Sequence, residues 1–167
     1  MLSGFQATCA ASDPWWLELC GKRRPDAFLA LRHGTAAAWG AGACSAEVAE
    51  TLRHVVELRC TQGAFAALRL DGTVCTWGHS LDGADKSRVR GELQQVRALY
   101  ATSRAFCALR SDGQVVAWGG PQLANYGGDA TRVQEQLRDV VSVRASGSAF
   151  AAVRSSEHCG GVQASRF

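Results

Sequence analysis

Ala64-Phe65-Ala66-Ala67-Leu68-Arg69-Leu70-Asp71-Gly72-Thr73-Val74-Cys75-Thr76-Trp77-Gly78 decides how this chain is read, because it returns as Ala105 to Gly119 with the same spacing from Phe to Trp. A third copy, Ala27 to Gly40, is one residue shorter in its turn, and a fourth opens at Ala149 and loses its second half. Within Phe-Ala-Ala-Leu the pattern is apolar throughout, which predicts a strand buried on both faces. Asp71-Gly72 and Asp112-Gly113 predict a tight two-residue hairpin turn with positive backbone angles, and His33-Gly34 is its shortened version. The return strands, Val74 to Trp77 and Val115 to Trp118, end on a Trp large enough to fill space between sheets, followed by a Gly where the chain bends.

Upstream of each copy the register is equally strict. Val48, Leu52, Val55 and Leu58 recur as Val89, Leu93, Val96 and Leu99, and again as Val133, Leu137, Val140 and Val143. Steps of four and three put the first members on one helical face, and the β-branched and aliphatic residues that follow favour a strand. Each unit is therefore expected to begin with a short helical turn and then enter a sheet. Asp85 or Ser87, Asp129 or Thr131, and Ser45 stand where they can cap these turns. From the first Val to the repeated Phe the distance is seventeen residues in all three units, so this part is packed structure. From the Trp to the next Val it is nine, twelve and fifteen residues. Segments that tolerate such insertions lie at the surface and carry binding residues. The candidate partner-binding loops are thus those holding His79, Asp82 and Lys86, and Asn125, Tyr126 and Asp129.

A self-similar unit of roughly forty residues with a helical turn and three short strands cannot bury its own apolar faces, so it implies a propeller or an array. The expected fold is all-β with short helical turns, a partial, open β-propeller-like array of about three blades. Residues 1–26 read as a degenerate first unit, interrupted by Lys22-Arg23-Arg24 and Pro25. Residues 27–154 hold the tandem repeats, with hairpins at 27–40, 64–78 and 105–119 and a partial one at 149–154, and residues 155–167 read as an irregular tail. Ser156-Glu157 stands where Asp-Gly is expected and Val162 where Trp should be, so a fragment of a longer repeat protein is the expectation.

The string Phe-x-Ala-Leu-Arg-x-Asp-Gly-x-Val-x-x-Trp-Gly, over roughly residues 28–154, resembles the regulator of chromosome condensation repeat, a β-propeller blade. That family usually has His where Phe28, Phe65, Phe106 and Phe150 stand, and its Asn-x-x-Gly-Gln-Leu-Gly element is absent after the Trp-Gly. Phe at this position resembles the divergent repeats of large ubiquitin ligases of the HECT class, whose chemistry belongs to a separate domain that nothing here matches. A WD-type propeller shares Asp-Gly-Thr-Val-x-x-Trp. Here Trp-Gly replaces Trp-Asp, and no Gly-His opens each unit.

At 167 residues, 47% hydrophobic and 20% charged, the chain has the balance of a globular protein, and its formal charge is only +3. Lys22 and Lys86 are the only lysines among eighteen basic residues. That arginine bias suits a packed protein more than a nucleic-acid-binding tail, and no membrane association is expected. Seven cysteines without a Cys-x-x-Cys pair point to small buried thiols and an intracellular setting, cytoplasm or nucleus. The four histidines, at 33, 54, 79 and 158, fall at four different phases of the repeat, so no shared nucleophilic site follows from them. Cys75-x-x-x-His79 and His54 with Cys60 lack the paired spacing of a zinc site. Neither a cofactor nor a metal is expected.

Arg32, Arg69, Arg110 and Arg154 follow the repeated Leu or Val in every copy. Two readings stay open for them: each fixes its own hairpin through Asp71, Asp112 or a carbonyl, or together they form a basic stripe for an acidic partner. The function expected from all this is a non-catalytic scaffold for protein partners, with the recognition region of a ubiquitin-ligase-like protein as its finer form. The alternatives are guanine-nucleotide exchange on a small GTPase, which the founding members of the resembled family perform, and a truncated repeat fragment without independent function. Self-association through exposed edge strands is a further expectation of an open arc.

Overall fold

The structure, a computed structural model, describes Glu50, residues 52–119 and residues 126–155 in full, and the strand backbones at 15–16, 27–32, 35–40 and 162–166. The strands in order are β1 (Trp15–Trp16), β2 (Ala27–Arg32), β3 (Thr35–Gly40), β4 (Val55–Cys60), β5 (Ala64–Arg69), β6 (Val74–Gly78), β7 (Val96–Ala101), β8 (Ala105–Arg110), β9 (Val115–Gly119), β10 (Val140–Ala145), β11 (Phe150–Ser155) and β12 (Val162–Arg166). They form four three-stranded antiparallel sheets, each made of three consecutive strands with the repeated Phe strand in the middle. The chain is mostly β, with short 3-10 turns at Ser80–Asp82, Ser87–Val89 and Thr131–Gln136 between sheets.

The middle strands β5 and β8 are sealed on both sides, as their unbroken apolar pattern predicts. Phe65 and Ala67 pack with Leu52, Leu58 and Trp77, while Ala64, Ala66 and Leu68 pack with Leu99, Phe106 and Trp118 of the third sheet. In β8, Phe106 and Ala108 face back to the second sheet, and Ala105, Cys107 and Leu109 pack with Val143, Phe150 and Ala152 of the fourth. The alanines let these sheets approach closely, and the aromatic pair fills the front of each: Phe65 stacks on Trp77 at 5.4 Å between ring centroids and Phe106 on Trp118 at 5.5 Å.

Beyond side-chain packing, polar contacts from first strands tie the second sheet to the third and the third to the fourth. Glu57 Oε2 accepts from the Leu99 amide at 3.0 Å, and Arg59 Nε donates to the Leu99 carbonyl at 3.0 Å. One sheet on, Arg97 donates to the Val140 and Val141 carbonyls at 3.2 and 2.9 Å. The turns between the first two strands of the second, third and fourth sheets are joined too, Gln62 N–H to Ser103 O at 2.8 Å and Ser103 N–H to Gly147 O at 3.0 Å.

The hairpin differs from the two-residue turn expected. The Arg69 amide donates to Thr73 O and the Gly72 amide to Arg69 O, both at 2.9 Å, so three residues form the loop, and only Gly72 has positive φ, at 77°. This is a type I turn followed by a left-handed residue, which accommodates Asp at its second position and needs Gly only at the third. Gly113, φ 79°, repeats it. In the first sheet Arg32 pairs directly with Thr35, which leaves the two-residue version at 33–34. The residue before the first strand of the second, third and fourth sheets, His54, Gln95 or Asp139, is left-handed, with φ of 57°, 54° and 55°. Its carbonyl accepts from the hairpin residue of its own sheet, as in Leu70 N–H to His54 O at 2.7 Å.

Two further expectations change. The segment expected as an irregular tail supplies β12, which pairs with β11 from Ala151↔Arg166 to Ser155↔Val162. Backbone pairing along an edge needs no Trp and no Asp-Gly turn, so a degenerate sequence still completes the sheet. Cys107 is a fully buried thiol and Cys75 a half-buried one, but Cys60 is disulfide-bonded, to a cysteine outside the described residues.

Candidate partner-binding face

After Gly78 the His79 amide donates to Gly63 O at 2.8 Å, a 3-10 turn runs Ser80–Asp82, and Gly83 closes it in the left-handed region. Thr61 Oγ1 holds the loop by donating to Asp82 O at 2.7 Å. In the next repeat Thr102 Oγ1 donates to Tyr126 O at 2.8 Å in the same way. The two threonines, nearly buried, are what fix two loops of different length at one phase of the array.

Arg104 lies between those loops. Its Nε sits 3.6 Å from Asp82 Oδ1, and its guanidinium carbon lies 5.5 Å from the centroid of the Tyr126 ring. His79 Nδ1 approaches the other Asp82 oxygen at 3.5 Å. The Asp82 side chain is mostly enclosed, at 17% exposure, while Arg104 is open at 44% and His79 at 60%. The structure therefore brings His79, Asp82 and Tyr126 together, as candidate loop residues of two successive repeats, around an arginine that sequence reading passes over. Arg104 occupies the turn position held by Gly63 in the repeat before it and Ser148 in the repeat after. A charge that breaks the repeat at a surface turn is the signal that could have found it.

Lys86 and Asp129 go elsewhere. They line a cleft of about 320 Å³ with Arg88, Glu92, Trp118 and Gln134, along the outer edge of β9. Lys86 Nζ donates to the Val74 carbonyl, and burial pulls its ammonium below the usual lysine range. Asp129 accepts from the Thr131 hydroxyl at 2.6 Å and amide at 3.0 Å, bonds that hold its carboxyl below the usual range. Asp85 does the same with Ser87, so the aspartates rather than the hydroxyl residues set these turns. Asn125 lies outside the described residues.

Two of the repeated arginines pair within their own hairpins. Arg69 pairs with Asp71 at 3.5 Å and Arg110 with Asp112 at 3.0 Å. Arg154, which lacks the Asp, donates to the Arg138 carbonyl at 3.1 Å. Arg32 is described only as part of the β2 backbone. Among the described residues no group of three or more His, Cys, Asp or Glu side chains could hold a metal, and no helix is long and apolar enough to cross a membrane.

Successive three-stranded antiparallel sheets, packed face to face through a Phe-Trp wedge and tied strand to strand, define a β-propeller-type repeat array that stays open. The class is matched by solved structures. The CRINKLY WD40 ectodomain of the Arabidopsis thaliana receptor kinase ACR4 superposes with a TM-score of 0.56 at 16% identity, over 85% of this chain and 50% of that one. Prp20p of Saccharomyces cerevisiae matches with a TM-score of 0.55 at 19% identity, over 85% of this chain and 43% of that one. Human WBSCR16 matches with a TM-score of 0.52 at 18% identity, over 80% and 44%. This chain thus spans half or less of each of these structures. No protein-family profile matches it, and no curated protein does.

Proposed function

We propose that the chain is a non-catalytic scaffold that binds a protein partner through the loops following each Trp-Gly. The observation that carries this is the convergence of two such loops on Arg104, which is held by Asp82 and Tyr126 yet open to solvent. A positioned guanidinium beside an aromatic ring is the kind of anchor that protein interfaces use, and it suits a carboxylate or carbonyl on the partner. Prp20p was described together with its binding to Gsp1p and histones, so a protein-binding use of this fold has a precedent. An intracellular setting goes with the Cys75 and Cys107 thiols, and the Cys60 disulfide argues against it.

The test is binding by the full chain to a partner identified by affinity capture and then purified. Replacing Arg104 and Tyr126 by Ala is expected to weaken binding by about tenfold or more, as for an interface anchor. Leu70→Ala, at an exposed hairpin tip, is expected to leave it unchanged. Equal affinity for all three proteins would overturn the proposal. The finer readings are separated by the partner itself: a ubiquitination substrate favours a ligase recognition region, and a small GTPase whose nucleotide release quickens favours exchange.

A further inference from the structure

The cleft beside β9 is a strand position left open. The closing bonds of the hairpin, Arg110 N–H to Gln114 O at 2.9 Å and Gly113 N–H to Arg110 O at 3.1 Å, set the alternation along the strand. Gln114, Val116 and Trp118 turn their backbone groups to β8, and Val115, Ala117 and Gly119 turn theirs outward. The Val115 carbonyl agrees, since it accepts from Gln134 Nε2 at 3.2 Å. In β6 the same outer edge is covered. Lys86 Nζ donates to Val74 O, and Thr76 Oγ1 holds the passing linker by donating to Ala84 O at 2.7 Å. One repeat on, Ala117 stands at the phase of Thr76 and Gly128 at that of Ala84, so this pin is lost. A cleft of about 320 Å³ lies beside Ala117 instead. Among the described residues no bond reaches the outward amide and carbonyl of Ala117 or Gly119.

The walls of the cleft say what enters it. Ala84 and Val89 pack on the side of the strand that Val116 and Trp118 face, and Ala130 and Val133 on the side that Ala117 faces, so two linkers flank the edge. An edge flanked in this way admits a single extended segment more readily than the edge of another folded sheet. Propeller blades typically hold four strands, and this sheet holds three. On the first wall the Ser87 amide takes the Asp85 carboxylate at 2.9 Å, and Val74 O takes the Lys86 ammonium. Arg88 and Glu92, both exposed, line the same wall without a hydrogen bond or ion pair from their side chains among the described residues. The second wall is small beside Ala117, at Gly128 and Ala130. We infer that the outer edge of β9 takes an extended segment of a partner protein as a fourth strand, with a small residue opposite Ala117 between an acidic and a basic one. The residue opposite Ala117 exchanges both backbone bonds with it, and its side chain meets Gly128 and Ala130. The residues on either side of it point to the other face and bring opposite charges to Arg88 and Glu92. This edge works independently of the Arg104 face.

Magnetic resonance on the full chain, labelled with nitrogen-15, tests this with two synthetic peptides, Thr-Val-Glu-Ala-Lys-Val-Thr and Thr-Val-Lys-Ala-Glu-Val-Thr. At millimolar peptide the Ala117 and Gly119 amides are expected to shift and to exchange their hydrogens more slowly, while the Thr76 amide, at the same phase of β6, stays in place. N-methylation of the peptide's central Ala removes the donor opposite Ala117 and should weaken binding by about tenfold or more. One peptide should bind about threefold or more tighter than the other, and exchanging the charges, Arg88→Glu with Glu92→Arg, should reverse that order. Because both positions are exposed, the exchanged variant is expected to fold. The inference is overturned by the absence of shifts with either peptide, by equal shifts at Thr76, by undiminished binding of the N-methylated peptide, or by an order that the charge exchange leaves unchanged. Shifts at Ala117 that follow protein concentration without peptide would place a second copy at this edge and overturn it too.

Discussion

Gly72→Ala tests whether the Asp-Gly turn is only a turn. Gly72 has φ 77°, where an L side chain costs about 1–2 kcal/mol. A Cβ there would also sit 3.1 Å from Gln95 Cα and 3.3 Å from the Gln95 and Val96 nitrogens, backbone atoms leading into the next sheet. They cannot move aside freely, because the Val96 amide donates to Gly72 O at 3.0 Å. Crowding of this kind costs about 1–3 kcal/mol, and the stiffer unfolded chain returns about 0.4–1 kcal/mol. The net expectation is a loss of about 2–3 kcal/mol, a large part of the roughly 5–15 kcal/mol of an ordinary domain. Urea unfolding reads this as a midpoint lowered by about 1–1.5 M for a slope near 2 kcal/mol/M. Gly72→Asn separates the two causes: Asn tolerates the left-handed region but carries the same Cβ. It should remain at least about 1 kcal/mol less stable than wild type, from the crowding alone. Wild-type stability in Gly72→Asn would show that the hairpin tip does not press on the next sheet. Gly113 repeats the geometry against Asp139 Cα at 3.1 Å and should give the same pair of results.

Phe106→Ala should cost about 3–5 kcal/mol by thermal or urea unfolding, because the ring is fully buried and the backbone of a packed sheet cannot collapse into the space. Alkylation followed by mass spectrometry should find Cys75 modified in the folded protein and Cys107 modified only after unfolding, since burial both encloses the Cys107 thiol and pushes its pKa far up. Asp71 and Asp129 have their carboxyls lowered chiefly by the Thr73 and Thr131 hydroxyls. Their folded values lie below the unfolded ones, so their contribution is present above the ordinary 3.8 and is lost as pH falls through the lowered folded values; Thr73→Val and Thr131→Val should flatten the acid limb of the stability curve. Arg104→Ala should change stability by less than about 1 kcal/mol in urea unfolding, as expected for a partly exposed ion pair.

The middle strands β5 and β8, their buried faces and their aromatic wedges are legible in the sequence because one physical cause acts on both copies. A Phe at seventeen residues from the helical Val has to meet the same alanines of the neighbouring sheet each time, and any copy that drifts loses that contact. The turn type was less legible. Asp-Gly specifies a left-handed Gly but not how many residues precede it, and the third loop residue shows only in the pairing of Arg69 with Thr73. β12 was hidden for the opposite reason: an edge strand is selected by backbone pairing, so Val162 to Arg166 need not resemble Val74 to Trp77.

The repeated Gly carries two constraints at once, its own φ and the backbone of the next sheet, which is why it stands out in the text of the chain. The binding face has the reverse logic. Thr61 and Thr102 are the regular part of it, two buried hydroxyls that seize the loop carbonyls of Asp82 and Tyr126 whatever the loop length. What they position is irregular, since Gly63 and Ser148 occupy the phase of Arg104, and His79 and Asp82 belong to one loop only. A framework built by repetition thus leaves its specific chemistry to the residues that do not repeat. Arg104, between a carboxylate at 3.6 Å and a ring at 5.5 Å, is the clearest of them.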